Sequence, residues 1–544
     1  MTKYFLYISC LIIIFLLLPF WSQSQVLKGS EVHGNFQTDL QYYNADSIIG
    51  APEVPEKMLM RSFANIIFTN NNFSAGVRYE SYLNTLQGFD SRYEGNGIPY
   101  RYATYSNEGL EITVGNFYEQ FGNGLIFRSY EEWGLGYDNA MDGIRLKYSP
   151  YNGIYLKGLV GKQRFFFDQG SGIVRGADGE IFINEIFDTL AEMKTKIIIG
   201  GSFVSKYQPD QDPIYKLPGN VGAFAGRLNI IHGKINIMSE YANKINDPSS
   251  VNNYIYKPGE SLLLTATYST KGLGIMLSAK RVDNMDFRSD RTATGNDLNI
   301  NYLPVITKQH AYSLTSMYPY ATQPNGEMGF QAEVIYSFKK DSKLGGKYGT
   351  NLYVNYSAAN SLKKTILYDG MGYDSDFFGI GDEVNFRDFN IEISKKFSKK
   401  VKTIFSYVNL VYNKDIIQGL SGYGTIYADI GVVDLTYKIK PKHSVRIELQ
   451  HLSTKQDDGS WAMGLVEYAI SPHWFIAAFD EYNYGNPDTD KKLNYFTVQA
   501  GYKKKANTIT IGYGRQRQGI YCVGGVCRNV PASNGVTLAI TSSF

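Results

Sequence analysis

The chain has 544 residues, 54 Lys and Arg against 51 Asp and Glu, and a formal charge of +3. So even a balance excludes a partner held by bulk electrostatics, nucleic acid above all. With 44 Tyr, 31 Phe and 54 Gly but only 19% charged residues, and a mean hydropathy of −0.25, the chain is aromatic and strand-rich without being apolar, as when half of each strand meets water.

At the N-terminus Lys3 precedes an apolar stretch that culminates in residues 11–21, and Ser22-Gln23-Ser24 offers the small residues that a signal peptidase reads. Residues 1–24 read as a secretory signal, with mature protein from Gln25. Cys10 lies ahead of most of that apolar core, so it does not read as a lipid-anchor cysteine. Beyond Trp21 no run of about 18 apolar residues occurs, which argues against helical spans.

Alternation starts at once. Val32, Phe36, Leu40 and Tyr42 share one pleat face, and His33, Asn35, Gln37, Asp39 and Gln41 share the other. A strand this early leaves no room for a plug domain. Phe73, Ala75, Val77 and Tyr79 follow the Asn70-Asn71-Asn72 turn, opposite Ser74, Gly76, Arg78 and Glu80. Further along, Phe330, Ala332, Val334 and Tyr336 oppose Gln331, Glu333 and Ser337, with Ile335 out of pattern. Phe389, Ile391 and Ile393 oppose Asn390, Glu392 and Ser394, and Val445, Ile447 and Leu449 oppose Arg446, Glu448 and Gln450. Short connections at residues 106–109, 397–400, 440–443 and 470–473 read as turns at one end, and residues 45–56, 120–142, 283–328 and 359–386 as long loops at the other. Residues 170–219 are the hardest to divide, with a short helix expected over 184–190. No linker, fixed repeat or change of composition separates domains. The expectation is an all-β fold, one transmembrane antiparallel β-barrel of about 22–24 strands over residues 25–544, with no plug domain and a lumen filled by inward-folded loops, the longest being 283–328.

Three segments depart from plain alternation. Residues 115–148, GNFYEQFGNGLIFRSYEEWGLGYDNAMDGIRLKY, concentrate Glu119, Arg128, Glu131, Glu132, Asp138, Asp142 and Arg145 in a turn-rich loop. Folded into a pore they form a constriction whose field selects solutes; left outside they are a solvated loop with weak surface ion pairs. Arg515 and Arg517 continue the lipid-facing parity of Ile509, Ile511 and Tyr513, where they would meet lipopolysaccharide phosphates, unless a bulge turns them inward. Cys522 and Cys527 flank Gly524-Gly525, and two close thiols outside the cytoplasm read as a disulfide stapling a hairpin rather than as metal ligands, since no His stands near. The chain ends NGVTLAITSSF, alternating and closing on Phe544, like the β-signal that outer-membrane assembly machinery recognises. Residues 208–213 and 486–490 are Asp-bearing but lack a calcium-loop spacing, so no metal or other cofactor is expected. The six histidines form no HExxH pair, and no GxSxG elbow or phosphate loop appears, so the chain does not read as an enzyme.

Taken together, the terminal block GRQRQGIYCVGGVCRNVPASNGVTLAITSSF and the internal block above resemble those of an uncharacterised family of large, porin-like outer-membrane barrels from Bacteroidota. The internal block is more loosely similar to the strand-loop-strand of carbohydrate- or anion-selective porins, where an Asp-Gly pair, here Asp142-Gly143, begins the returning strand; their arginine ladder is missing here. The resemblance implies location and fold. Partners expected from it are outer-membrane lipid, lipopolysaccharide and the assembly machinery, with a lipoprotein or other envelope protein as a further candidate. Two functions stand side by side: a porin-like channel for small polar solutes, or a non-transporting subunit of an envelope complex such as a secretion or barrel-assembly machine.

Overall fold

A computed structural model describes residues 29–523 and 526–544; the signal-peptide reading lies outside them. Twenty-four strands form one sheet, each antiparallel to its neighbours in sequence, from Ser30–Asn44 round to Ser533–Ser543. The last strand pairs with the first, Thr38 opposite Ile540 and Tyr42 opposite Val536, and closes the barrel. Closure is what satisfies the two edges, which would otherwise present a row of unpaired amides to lipid. The even count puts both ends of the chain at the same rim.

The turns explain the register. At that rim, strands are joined by tight connections that hold residues in left-handed backbone, Asn71 at φ 48° and Gly109 at φ 84°, where the side-chain penalty is small or nil. The helix expected over 184–190 is a pair of single turns, Ile183–Ile186 and Asp188–Ala191. At the opposite rim, residues 359–386 are a correction: the expected long loop is a projecting hairpin, in which Thr350–Ile366 pairs with Tyr373–Lys396, a strand of 24 residues. Its register shifts between Ala359 and Lys364, and such bulges scramble the period of two that sequence reading depends on.

Outward faces carry Ile66, Val77, Val114, Ile144, Leu277, Leu449 and Ile511, all exposed. The lumen is not empty. One apolar cluster joins Phe121, Leu125 and Phe127 to Met285, Phe287 and Ile300 and to wall residues Val204, Val221 and Ala242. A second packs Leu314, Tyr318 and Tyr320 against Phe386, Tyr412 and Ile430. Both depend on loops that enter the barrel, residues 118–140 and 284–326.

The first of these loops enters because its strand stops early. Leu110–Phe117 has 8 residues beside a partner of 13, Gly95–Asn107. Gly115, Gly143 and Gly161 stand side by side across three strands. A Cβ on Gly143 would lie 2.1 Å from the Val160 carbonyl oxygen, and one on Gly115 2.3 Å from that of Arg101. Neither position accepts a side chain without a shift of the neighbouring backbone, and this is where the short strand ends and the chain turns inward.

Candidate functional site in the barrel lumen

Glu119, the second residue past the short strand, meets three cations from the wall: Lys157 at 2.9 Å, Lys147 at 3.1 Å and Arg145 at 3.6 Å. Arg145 also bonds Glu111 at 2.6 Å and donates to the Tyr118 carbonyl at 3.0 Å. Burial alone would raise the Glu119 pKa, but Lys157 and Lys147 outweigh it and hold the carboxyl below its usual value. The charge is therefore fixed.

Higher in the lumen the same loop is locked to the wall. Glu131 accepts two bonds from Arg78, at 2.5 and 2.9 Å, and Asp138 accepts from Arg164 at 2.6 Å and from the Tyr118 hydroxyl at 3.0 Å. Arg164 also grips Glu80 through both oxygens, and this pair is buried, 3% and 1% exposed. Two guanidinium groups thus hold three carboxylates. Burial first, and then the neighbouring Asp138, raise the Glu131 pKa despite Arg78. Arg128 is stacked between Tyr130 and Tyr302, 4.1 Å from each ring centre, and ties this loop to residues 284–326. Glu132 is half-buried beside Trp133.

Asp142 departs from the expected luminal group. The returning strand starts at Met141, so the Asp142-Gly143 pair stands at its beginning, but Asp142 shares parity with Ile144, Leu146 and Tyr148, which are exposed on the outside. It bonds Arg101 there at 3.1 Å and accepts from Gln169 at 2.6 Å.

Residues 284–326 reach much deeper. Lys280 and Glu327, both fully buried, pair at 2.7 Å where the loop leaves and rejoins the wall. Inside, Lys308 approaches Glu392 at 3.4 Å, His310 bonds Asp388 at 2.7 Å and the Tyr312 hydroxyl reaches Asp434 at 3.3 Å. Glu392 is four residues from the end of its strand, so the loop descends most of the barrel. These wall carboxylates were not singled out from the sequence; their only signal is inward parity, shared with dozens of ordinary luminal residues.

Between Tyr312, Ser313 and the last strands lies a cleft of about 680 Å³. Its charged lining is Arg446, Glu448, Glu481, Arg515 and Arg517. Arg446 bonds Asp434 at 3.0 Å and also Glu448. Arg517 bonds Glu481 at 3.0 Å, and Ser313 donates to the same carboxylate. Arg517 therefore faces inward, the second of its two readings. Arg515 pairs with Asp46 at 2.7 Å at the rim. Phe544 lies beyond the last strand, exchanging backbone hydrogen bonds with Gly34 while its ring covers that glycine. Cys522 and Cys527 face each other in the register of a small external hairpin, Gly519–Val523 with Val526–Val530. Asn296 donates to the Cys527 carbonyl at 2.6 Å, so the hairpin touches the internal loop.

Among the described residues no three His, Cys, Asp or Glu gather as metal ligands. Asp210 and Asp212 instead accept backbone amides of their own loop.

The architecture is that of a large, closed, antiparallel transmembrane-type barrel with a loop-filled lumen. The chain belongs to a family of unknown function, DUF6029, whose model matches residues 1–544. No curated protein matches it. Among solved structures it is similar to the siderophore receptor PirA from Pseudomonas aeruginosa, with 10% identity over 94% of this chain and 80% of that one and a TM-score of 0.41. A BenF-like porin from Pseudomonas fluorescens Pf-5 has 9% identity over 95% and 99%, with a TM-score of 0.32. The P pilus usher PapC translocation pore has 8% identity over 94% and 99%, with a TM-score of 0.37. These likenesses concern the fold.

Proposed function

We propose that the protein is a restrictive porin-like channel of the outer membrane, passing small polar solutes along the cleft between residues 311–313 and the last strands. The observation that carries this reading is the cleft itself, about 680 Å³ of open space with charges of both signs on its walls, in a lumen otherwise packed by two apolar clusters. A barrel of 24 strands is wide enough to leave an aqueous lumen or to be plugged, and here the loops leave one side free. The charged block of residues 119–145 acts as the anchor of the filling: Glu119, Glu131 and Asp138 are paired with Arg78, Arg164, Lys147 and Lys157. Selectivity then falls to Glu448, Glu481, Arg446, Arg515 and Arg517, a nearly balanced set of both signs that suits neutral or zwitterionic solutes.

The location, the signal peptide and the recognition of Phe544 by the assembly machinery belong to the same proposal, supported by the apolar outer faces and the closing strand. The test is conductance of the purified protein in planar bilayers. Small discrete steps of weak ion selectivity are expected, with a shift toward anions in the E448Q/E481Q variant. A silent bilayer at every voltage would reject the channel and leave the non-transporting subunit.

A further inference from the structure

The outer wall carries a charged feature that the channel does not use. Across four neighbouring strands, Arg101, Asn116, Asp142 and Lys162 occupy one row, Asp142 directly opposite both Asn116 and Lys162. Arg101 completes it through the 3.1 Å bond to Asp142, and its backbone amide donates to Asn116 at 2.9 Å. Arg175 lies one step away on the next strand, opposite Val160 and diagonal to Lys162. Arg101 keeps 54% of its side chain exposed, and Arg175 is exposed as well. Among the described residues neither Lys162 nor Arg175 has a side-chain partner. The patch therefore carries three cations and one carboxylate, which only Arg101 of the three bonds.

Depth makes that arrangement costly. The row lies six residues up the strand from Tyr148, which with Tyr105 marks an exposed aromatic belt on the outer face. At about 3.3 Å per residue and a tilt of ~40° that is roughly 15 Å, inside an apolar band of about 25 Å. A lipid-facing Arg or Lys at such depth is destabilising unless something anionic meets it.

Directly below the row the wall is concave. A groove of about 760 Å³ has Arg101 and Asp142 at its head and Ile66, Phe68, Val77, Val114 and Ile144 along it. The backbones of Gly76, Gly115 and Gly143 form part of its floor. Gly115 and Gly143 belong to the cross-strand glycine row that accepts no side chain, so the groove is built into the fold.

We propose that this groove binds a phosphorylated, multiply acylated lipid of the outer leaflet, with an acyl chain along Val77, Val114 and Ile144 and its phosphates on Arg101, Lys162 and Arg175. Guanidinium and ammonium groups in a row suit phosphate oxygens, and the apolar groove suits a chain that is already in the hydrocarbon phase. The bound lipid neutralises the excess charge and fills the groove, so it stiffens the wall where the loop of residues 118–140 enters. Arg515 and Arg517, held by Asp46 and Glu481, leave this role to the other side of the barrel.

The experiment uses mature full-length protein in phosphatidylcholine nanodiscs, with bisphosphorylated lipid A as the probe and native mass spectrometry as the readout. Wild type is expected to retain the lipid, and R101Q/K162Q/R175Q to lose at least about tenfold in retention. Ala103→Trp, which fills the groove and removes no charge, should lose retention as well. R387Q, an exposed arginine on a distant strand, should not change it, and gel mobility before and after heating confirms that each barrel is folded. Retention by the triple variant equal to wild type would overturn the proposal. So would equal retention of dephosphorylated lipid A, full retention by the groove-filled variant, or displacement of the lipid by an equal concentration of inorganic phosphate.

Discussion

Buried charge in this lumen makes Glu80 a more critical residue than any member of the charged loop it holds. Its carboxylate accepts from Arg164 at 2.9 and 2.6 Å with almost no solvent contact. Removing Glu80 leaves Arg164 with Asp138 as its one close carboxylate, so the loss falls at the lower end of the range for a broken buried pair, about 3 kcal/mol. E80A should therefore lower the stability of the folded barrel by that order in denaturant titration. E132A, at a half-buried carboxylate outside the network, should stay within about 0.5 kcal/mol of wild type. Equal effects would show that the network is not what holds the loop. The sequence puts Arg78 and Glu80 on a polar strand face and singles out Glu131 and Asp138, but it neither joins them nor points to Arg164, because ionic residues on an inward face look alike until the loop's landing point is known.

Elements were legible in proportion to the regularity of their alternation. Val32 to Tyr42, Phe73 to Tyr79 and Val445 to Leu449 read correctly because nothing interrupts their period of two. The hairpin over residues 359–386 was missed because bulges shift its phase, and the glycine row was invisible because its meaning lies in cross-strand register. Asp142 was misplaced for a related reason: one residue of register decides which face a side chain takes. The same register puts Cys522 opposite Cys527, and the disulfide expected of two close thiols outside the cytoplasm is a prediction to be tested. Intact mass of protein taken from the envelope should increase by the mass of two alkyl groups only after reduction. Alkylation without reductant would show free thiols and remove the staple.

At the scale of the whole molecule, closure, strand number and polar-in, apolar-out faces follow from composition and pattern, while the course of residues 284–326 through the lumen does not. That loop had been singled out only for its length. What fixes it is a ladder of wall partners, Asp388, Glu392, Asp434, Gln450 and Glu481, gathered from distant strands. Its descent divides the lumen into a packed side and an open one, and the channel proposal rests on that division. The most direct test is to place single cysteines at Gln499 on the open side and at Tyr100 on the packed side, and to record bilayer conductance while a charged thiol reagent is added. The account predicts that modification of Q499C sharply lowers the conductance and that Y100C is unaffected; block at Y100C with no change at Q499C would contradict it.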